Sequence, residues 1–194
     1  MKKKKKYELF IKFLSPNRNS IILDVGCGQG TFLEEMYPYK KNIIALDISK
    51  ENISNLKKKF PYIKTICTDG SALPFKDKSI DIIFSNAVIE HVGNYEKQHL
   101  FASEIIRVAK KYFVTTPNKL FPYEPHYRLP FFQFVPKKIQ KLITKHFNVG
   151  NYKKGEWEDI NLLTLIQLKK LFPDSNIIKH RVTLFPETLI AIKK

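Results

Sequence analysis

The chain has 194 residues, 43% apolar and 13% aromatic, which is enough for one domain with a sizeable core and too short for two. Its formal net charge of +16, from 34 basic and 18 acidic residues, attracts nucleic acid, anionic lipid or a phosphorylated substrate, but lysines far outnumber arginines and no arginine-rich stripe forms, so a solvated basic surface is favoured over a dedicated polyanion site. Two cysteines rule out a disulfide framework and point to the reducing cytoplasm, and no apolar run approaches the ~20 residues that a membrane helix needs.

The lysine run 2–6 is expected to be disordered by self-repulsion, and residues 7–14 to form a short amphipathic helix, together a basic tail over 1–16. Leu9, Phe10, Phe13 and Leu14 share its apolar face, which packs on its own domain, the favoured reading, covers the ligand mouth or, beside the lysines, rests on a bilayer surface. The charged start imitates a signal peptide, but Glu8 and Lys12 interrupt its apolar part and no small-residue cleavage site follows, so the segment is read as mature chain.

Next comes IILDVGCGQGTF, residues 21–32. An apolar strand ends at Asp24, Gly26, Gly28 and Gly30 follow at alternate positions, and a helix is expected over 31–37. Such a turn brings backbone amides to the electropositive end of a helix, where a small ligand with an anionic group fits. A dinucleotide fingerprint needs glycine or alanine three places after its second glycine, and Thr31 or Leu33 stands there instead. Asp24 repels a pyrophosphate but suits a ligand carrying ammonium and sulfonium charges.

Further strands are predicted over 42–47, 63–68, 80–85 and 111–116, with helices over 50–60 and 95–109. The second strand ends in Asp47, where a carboxylate accepts from both ribose hydroxyls. The third ends in Asp69, followed by Gly70 and Ser71, which suits an adenine edge, and the fourth runs into Ser85 and Asn86. Segment 118–163 is too long for an ordinary connection, rich in proline and aromatic residues, and follows a strand's carboxyl end, so it reads as a substrate-side insertion that contains a basic helix over 136–147. A helix over 164–172 and two strands, 176–184 and 187–193, close the chain, the short connection between the strands forcing antiparallel pairing.

The phrases LDVGCGQG, ALDIS, TDGSALPF, SIDIIFSNAVIEHV and EIIRVAKKYFVTTPN, in this order over residues 20–118, resemble a class I S-adenosylmethionine-dependent methyltransferase of the small ubiquinone/menaquinone-biosynthesis-like type, the methyltransferase type 11 family. The phrase TPNKLFPYEPHYRLPFFQFVP is similar to methyltransferases of surface-glycan or lipid-linked glycan pathways. The resemblance implies an α/β fold, a Rossmann-like seven-stranded mostly parallel sheet in the order 3-2-1-4-5-7-6 with the last strand antiparallel and helices on both faces. It also implies S-adenosyl-L-methionine as cofactor, gripped by Asp24, Gly26, Gly28 and Gly30 at the methionine part, Asp47 at the ribose, Asp69 and Gly70 at the adenine, and Asn86 near the sulfonium, with Ile48 and Ser71 also among the cofactor-binding residues.

Methyl transfer needs alignment, exclusion of water and, for a hydroxyl or carbon acid, removal of a proton. His91, just past the fourth strand, and His126, in PYEPHYR, are the candidate bases, with Glu124, Tyr127 and Arg128 as candidates for binding a small-molecule, glycan or lipid-linked acceptor. Without a clustered His/Cys/Asp set in the sequence, no metal is expected. The alternatives are a non-catalytic cofactor-binding or basic RNA-binding protein and an NAD-dependent oxidoreductase. RNA binding lacks an aromatic stacking platform, and the oxidoreductase lacks the third glycine.

Overall fold

The computed structural model describes residues 2–30, 37–181 and 184–194, with side chains from Lys5 onward. The helix expected over 31–37 therefore lies, except for Tyr37, outside the described residues. Largely apolar runs form the strands β1 (Ile22–Val25), β2 (Ile43–Asp47), β4 (Ile80–Asn86) and β5 (Ala109–Pro117), and runs of this kind are stable only when covered on both faces, whereas the edge strand β3 (Lys64–Cys67) has a polar, partly exposed sequence. Two more long strands, β8 (Asn176–Arg181) and β9 (Pro186–Lys193), complete one seven-stranded sheet, while β6 (Tyr123–Glu124) and β7 (Leu129–Pro130) pair separately. The order β3-β2-β1-β4-β5-β9-β8 is the expected one once the small pair is set aside. β1 to β5 are parallel, and β9 runs antiparallel to both of its neighbours.

Period-2 alternation divides the strands between two cores. Ile22, Ile43, Phe84 and Phe113 face α1 (Lys2–Leu14) and α2 (Lys50–Lys59), which add Phe10, Leu14 and Leu56. Leu23, Ile83, Val114 and Leu189 face α3 (Tyr95–Val108) and α5 (Leu165–Leu171), which add Phe101, Ile105 and Leu168. α2, α3 and α5 each start where a side chain satisfies an orphan amide: Ser49 accepts from Asn52, Asn94 from Lys97, and Thr164 forms a reciprocal capping box with Gln167.

The lysine run departs from expectation, because α1 begins at Lys2. Phe10 is fully buried, edge-on to Phe84 and Phe113 at 5.3 and 5.7 Å, and Leu14 is buried beside it. This docking, with Lys6 Nζ donating to Asn86 Oδ1 at 3.3 Å, outweighs a lysine repulsion that solvent and salt screen.

Segment 118–163 is a packed excursion with a core of its own. Tyr127, Phe132 and Val149 are buried among Leu129, Val135, Ile143, Tyr152 and Trp157, under α4 (Lys137–His146). It is tied back to the sheet through Lys119, which donates its amide to Leu163 O, and Asn118, which donates to Glu187 O.

Truncating Phe10 leaves a cavity between α1 and two stacked rings. Phe10→Ala is expected to destabilise the protein by about 3–5 kcal/mol in urea unfolding. A loss below about 1 kcal/mol would mean that α1 is not part of the cooperative core.

Candidate active site

β1, β2, β3 and β4 all point their carboxyl ends at one edge of the sheet, where open α/β sheets bind ligands. After β1 the chain turns through Gly26, Gly28 and Gly30, with φ of 73°, 53° and 80°, a region that glycine enters without strain. At Gly26 a side chain is doubly excluded, because a Cβ there would stand 2.4 Å from Val88 Cγ2. The turn is not an open nest of amides, which corrects the expectation of an anion cradle. Gly26 and Cys27 donate to Leu46 O at 2.8 and 3.0 Å, Gly28 donates to Asp47 Oδ2 at 2.8 Å, and Gly30 donates to Cys27 O. Asp47 ties this together, its other oxygen accepting from Ser49 N at 2.9 Å and Asn52 Nδ2 at 3.2 Å.

The turn borders a cleft of about 460 Å³. Gly26, Asp47, Ile48, Asp69, Gly70 and His91 line it, together with Asn52, Thr68, Val88, Lys97 and Phe101, which sequence reasoning did not single out. Gly70 permits tight packing of the wall, since a Cβ there would lie 2.6 Å from the Phe101 ring. Two carboxylates against one lysine among the lining residues favour a ligand that brings positive charge.

Several expected contacts are absent from the lining. Asp24 lies on the same strand face as Ile22, buried beneath the turn, and Asn86 shares its face with Phe84. The Asn86 amide oxygen instead accepts from Thr115 Oγ1 at 2.8 Å and from Lys6. Burial first, and the Asp47 charge second, push the Asp24 carboxyl up to about 7. Gly28 and Gly30 shape the turn without lining the cleft, and Ser71 donates its amide to Asp69 Oδ1 in a tight turn.

Beyond the cleft the two candidate histidines meet edge to face, their ring centroids 5.0 Å apart. His91 Nδ1 donates to Glu158 Oε1 at 2.7 Å, and His126 Nδ1 donates to Glu124 Oε1 at 2.7 Å. Burial pulls the His91 pKa down, but the Glu158 hydrogen bond and the charges of Glu90, Glu158 and Glu124 outweigh it and leave it raised. The His91 bond, against a smaller burial penalty, holds Glu158 down at about 2. Glu90 is wholly buried, which raises its pKa. Thr116 Oγ1 donates to its Oε2 at 2.9 Å, and its Oε1 lies 4.0 Å from His91 Nε2 without a hydrogen-bond partner among the described residues.

One donor atom each from Glu90, His91 and His126 lies within 4.8 Å of the others. The premise that no such set is clustered, on which the absence of a metal was expected, is therefore overturned. The substrate-side assignments change too. Glu124 is buried, its oxygens accepting from the amides of His126 and Tyr127 and from the His126 ring, and the Tyr127 hydroxyl donates to Glu158 O at 2.8 Å within the insertion's core. Both hold the loop in shape, whereas Arg128 is exposed.

Residues 23–112 match the family model described as "Methyltransferase domain". Over 99 residues the chain is 23% identical to a probable S-adenosylmethionine-dependent methyltransferase of Mycobacterium tuberculosis, covering 51% of this chain and 36% of that one. Over 111 residues it is 33% identical to an uncharacterized protein of Methanocaldococcus jannaschii, covering 57% and 47%. A solved S-adenosylmethionine-dependent methyltransferase of Methanosarcina mazei superposes with a TM-score of 0.65 at 17% identity, over 95% of both chains. Residues 23–112, just under half of the chain, are thus similar to class I S-adenosylmethionine-dependent methyltransferase domains.

The matches span about a third to a half of the length of these curated relatives. A magnesium protoporphyrin IX methyltransferase of Synechocystis, solved with bound S-adenosylhomocysteine, shares the fold at a TM-score of 0.64 and 16% identity, over 97% of this chain and 81% of that one. S-adenosylmethionine is the cofactor of this methyltransferase class, and the cleft suits it: glycine-smoothed walls at Gly26 and Gly70 and two facing carboxylates match a flat nucleoside with cationic groups. No helix among the described residues is long and apolar enough to cross a membrane.

Asp24 keeps its proton in the folded domain up to about pH 7, whereas unfolded it titrates near ~3.9, so stability falls as pH rises through this window. Asp24→Asn is therefore expected to raise stability by at least about 1 kcal/mol at pH 8, with the gain shrinking as pH is lowered toward 4. Thermal melts at pH 5 and 8 check this. A gain that grows toward acid pH would contradict it.

Proposed function

We propose that the protein transfers a methyl group from S-adenosylmethionine to a hydroxyl of a glycan, lipid-linked or small-metabolite acceptor. The observation that carries this reading is the pair of carboxylates, Asp47 and Asp69, facing one cleft beside the glycine turn within the matched methyltransferase segment. In this reading Asp47 accepts from the ribose hydroxyls, Ile48 covers the adenosine, Asp69 and Gly70 border the adenine, and Gly26 lets the chain pass close to the methionine part. When bound, the cofactor supplies an electrophilic methyl group. The protein then has to align the acceptor and exclude water, with His91, at the cleft's far wall, on the acceptor side.

The lipid-linked version draws support from α4. Ile139 and Leu142 on this helix and Phe147 just after it are exposed, among Lys138, Lys141 and Lys145, a surface suited to an anionic bilayer next to the insertion.

Calorimetric titration with S-adenosylmethionine and S-adenosylhomocysteine is the direct test. Asp47→Ala is expected to weaken binding about tenfold or more, through loss of charge-assisted hydrogen bonds and of the latch on the turn. His91→Ala is expected to leave binding within about twofold while lowering transfer of radiolabelled methyl into cell-extract fractions by about 100-fold. No binding at millimolar ligand would refute the enzyme reading. Binding without labelling of any fraction would favour a silent cofactor-binding protein.

A further inference from the structure

The cluster beyond the cleft is built in a way that proton transfer alone does not account for. Glu90 has no exposed surface, and one of its oxygens is left without a hydrogen-bond partner among the described residues. A buried carboxylate oxygen in that state is costly unless something positively charged meets it. His91 Nε2, 4.0 Å away, is too far to donate to it.

Each imidazole, moreover, is oriented by its own carboxylate at 2.7 Å through Nδ1, Glu158 for His91 and Glu124 for His126. With the Nδ1 proton donated outward, each Nε2 is left as a lone pair. This carboxylate-to-histidine arrangement is the one that orients metal-bound imidazoles. Glu124 is itself held by the backbone amides of His126 and Tyr127, and Glu158 by the Tyr152 hydroxyl at 2.6 Å, so neither orienting group is free to wander. Three carboxylates thus surround two imidazoles in a small space.

We infer that Glu90, His91 and His126 form a binding site for a first-row divalent transition-metal cation. Their donor atoms lie within 4.8 Å of one another, and a cation with bonds of ~2.0–2.2 Å requires separations of roughly 3–3.5 Å, a closure of about 1 Å. Two nitrogens and one oxygen suit zinc, cobalt, nickel, iron or manganese better than magnesium or calcium, which prefer oxygen alone. Three protein ligands leave positions open, and because His91 also lines the cofactor cleft, those positions lie next to it. With the cation bound, neither imidazole is available as a base, so the two histidines act as one unit.

Cobalt(II) tests the site without reference to turnover, so the outcome is independent of the methyl-transfer reading. The full chain, free of any purification tag and stripped with chelator, is titrated with Co²⁺ and followed by its visible ligand-field absorption. One equivalent is expected to bind with a dissociation constant of about 10 µM or lower and to be displaced by Zn²⁺. Glu90→Gln and His126→Ala are expected to weaken binding about 100-fold or more, and Glu124→Gln, which leaves the three ligands in place, about 10–100-fold. Near-UV circular dichroism and S-adenosylhomocysteine binding show that each variant is folded. Absence of ligand-field bands at millimolar Co²⁺, or unchanged affinity in folded His126→Ala and Glu124→Gln, would overturn the assignment.

Discussion

The Asp47 carboxylate is the joint on which the cofactor edge of the sheet depends. One oxygen holds the amide of Gly28, and the other holds the amide of Ser49 and the side chain of Asn52. A single side chain at the tip of β2 thereby fixes the glycine turn after β1 and the first turn of α2. Because it is mostly buried, water competes weakly for these bonds. A ligand whose hydroxyls approach Asp47 meets a carboxylate already held in place, and its binding is coupled to the conformation of the turn.

The same economy of position governs the other wall. Glu90 stands in the short helical turn Ile89–His91 after β4, and the chain there is pinned to the far end of the insertion: Asn161 donates its amide to Glu90 O, and Gln98 Nε2 donates to both Ile89 O and Asn161 O. The insertion is anchored at the point where it brings Glu158 to His91 and His126 into edge-on contact. The insertion thus brings Glu158 onto His91 beside β4, although 67 residues separate the two.

Much of this was legible in the sequence, for a physical reason. Strands buried on both faces are largely apolar, and the polar residues that end them stand at the sheet edge, so the strand positions and the places of Gly26, Asp47 and Asp69 in the cleft wall could be read from runs and their endings, whereas the sheet order followed from the family resemblance. Alternation within a strand decided what was misread. Asp24 and Asn86 are at strand tips, but an even number of residues from Ile22 and Phe84, so they turn to the α1 side. The lysine run gave no sign that Phe10 and Leu14 would hold it helical. Glu158, in the phrase EWEDI, has no local pattern that marks it, and Glu124 looked like a recognition residue only because a buried carboxylate that caps its own loop has the same spelling as an exposed one.

A crystal structure of the protein with S-adenosylhomocysteine tests the central claim most directly. The account predicts both ribose hydroxyls on Asp47, the adenine against Ile48, Asp69 and Gly70, and the sulfur directed toward His91. A nucleoside bound elsewhere, or lying in the cleft with its ribose turned away from Asp47, would contradict it.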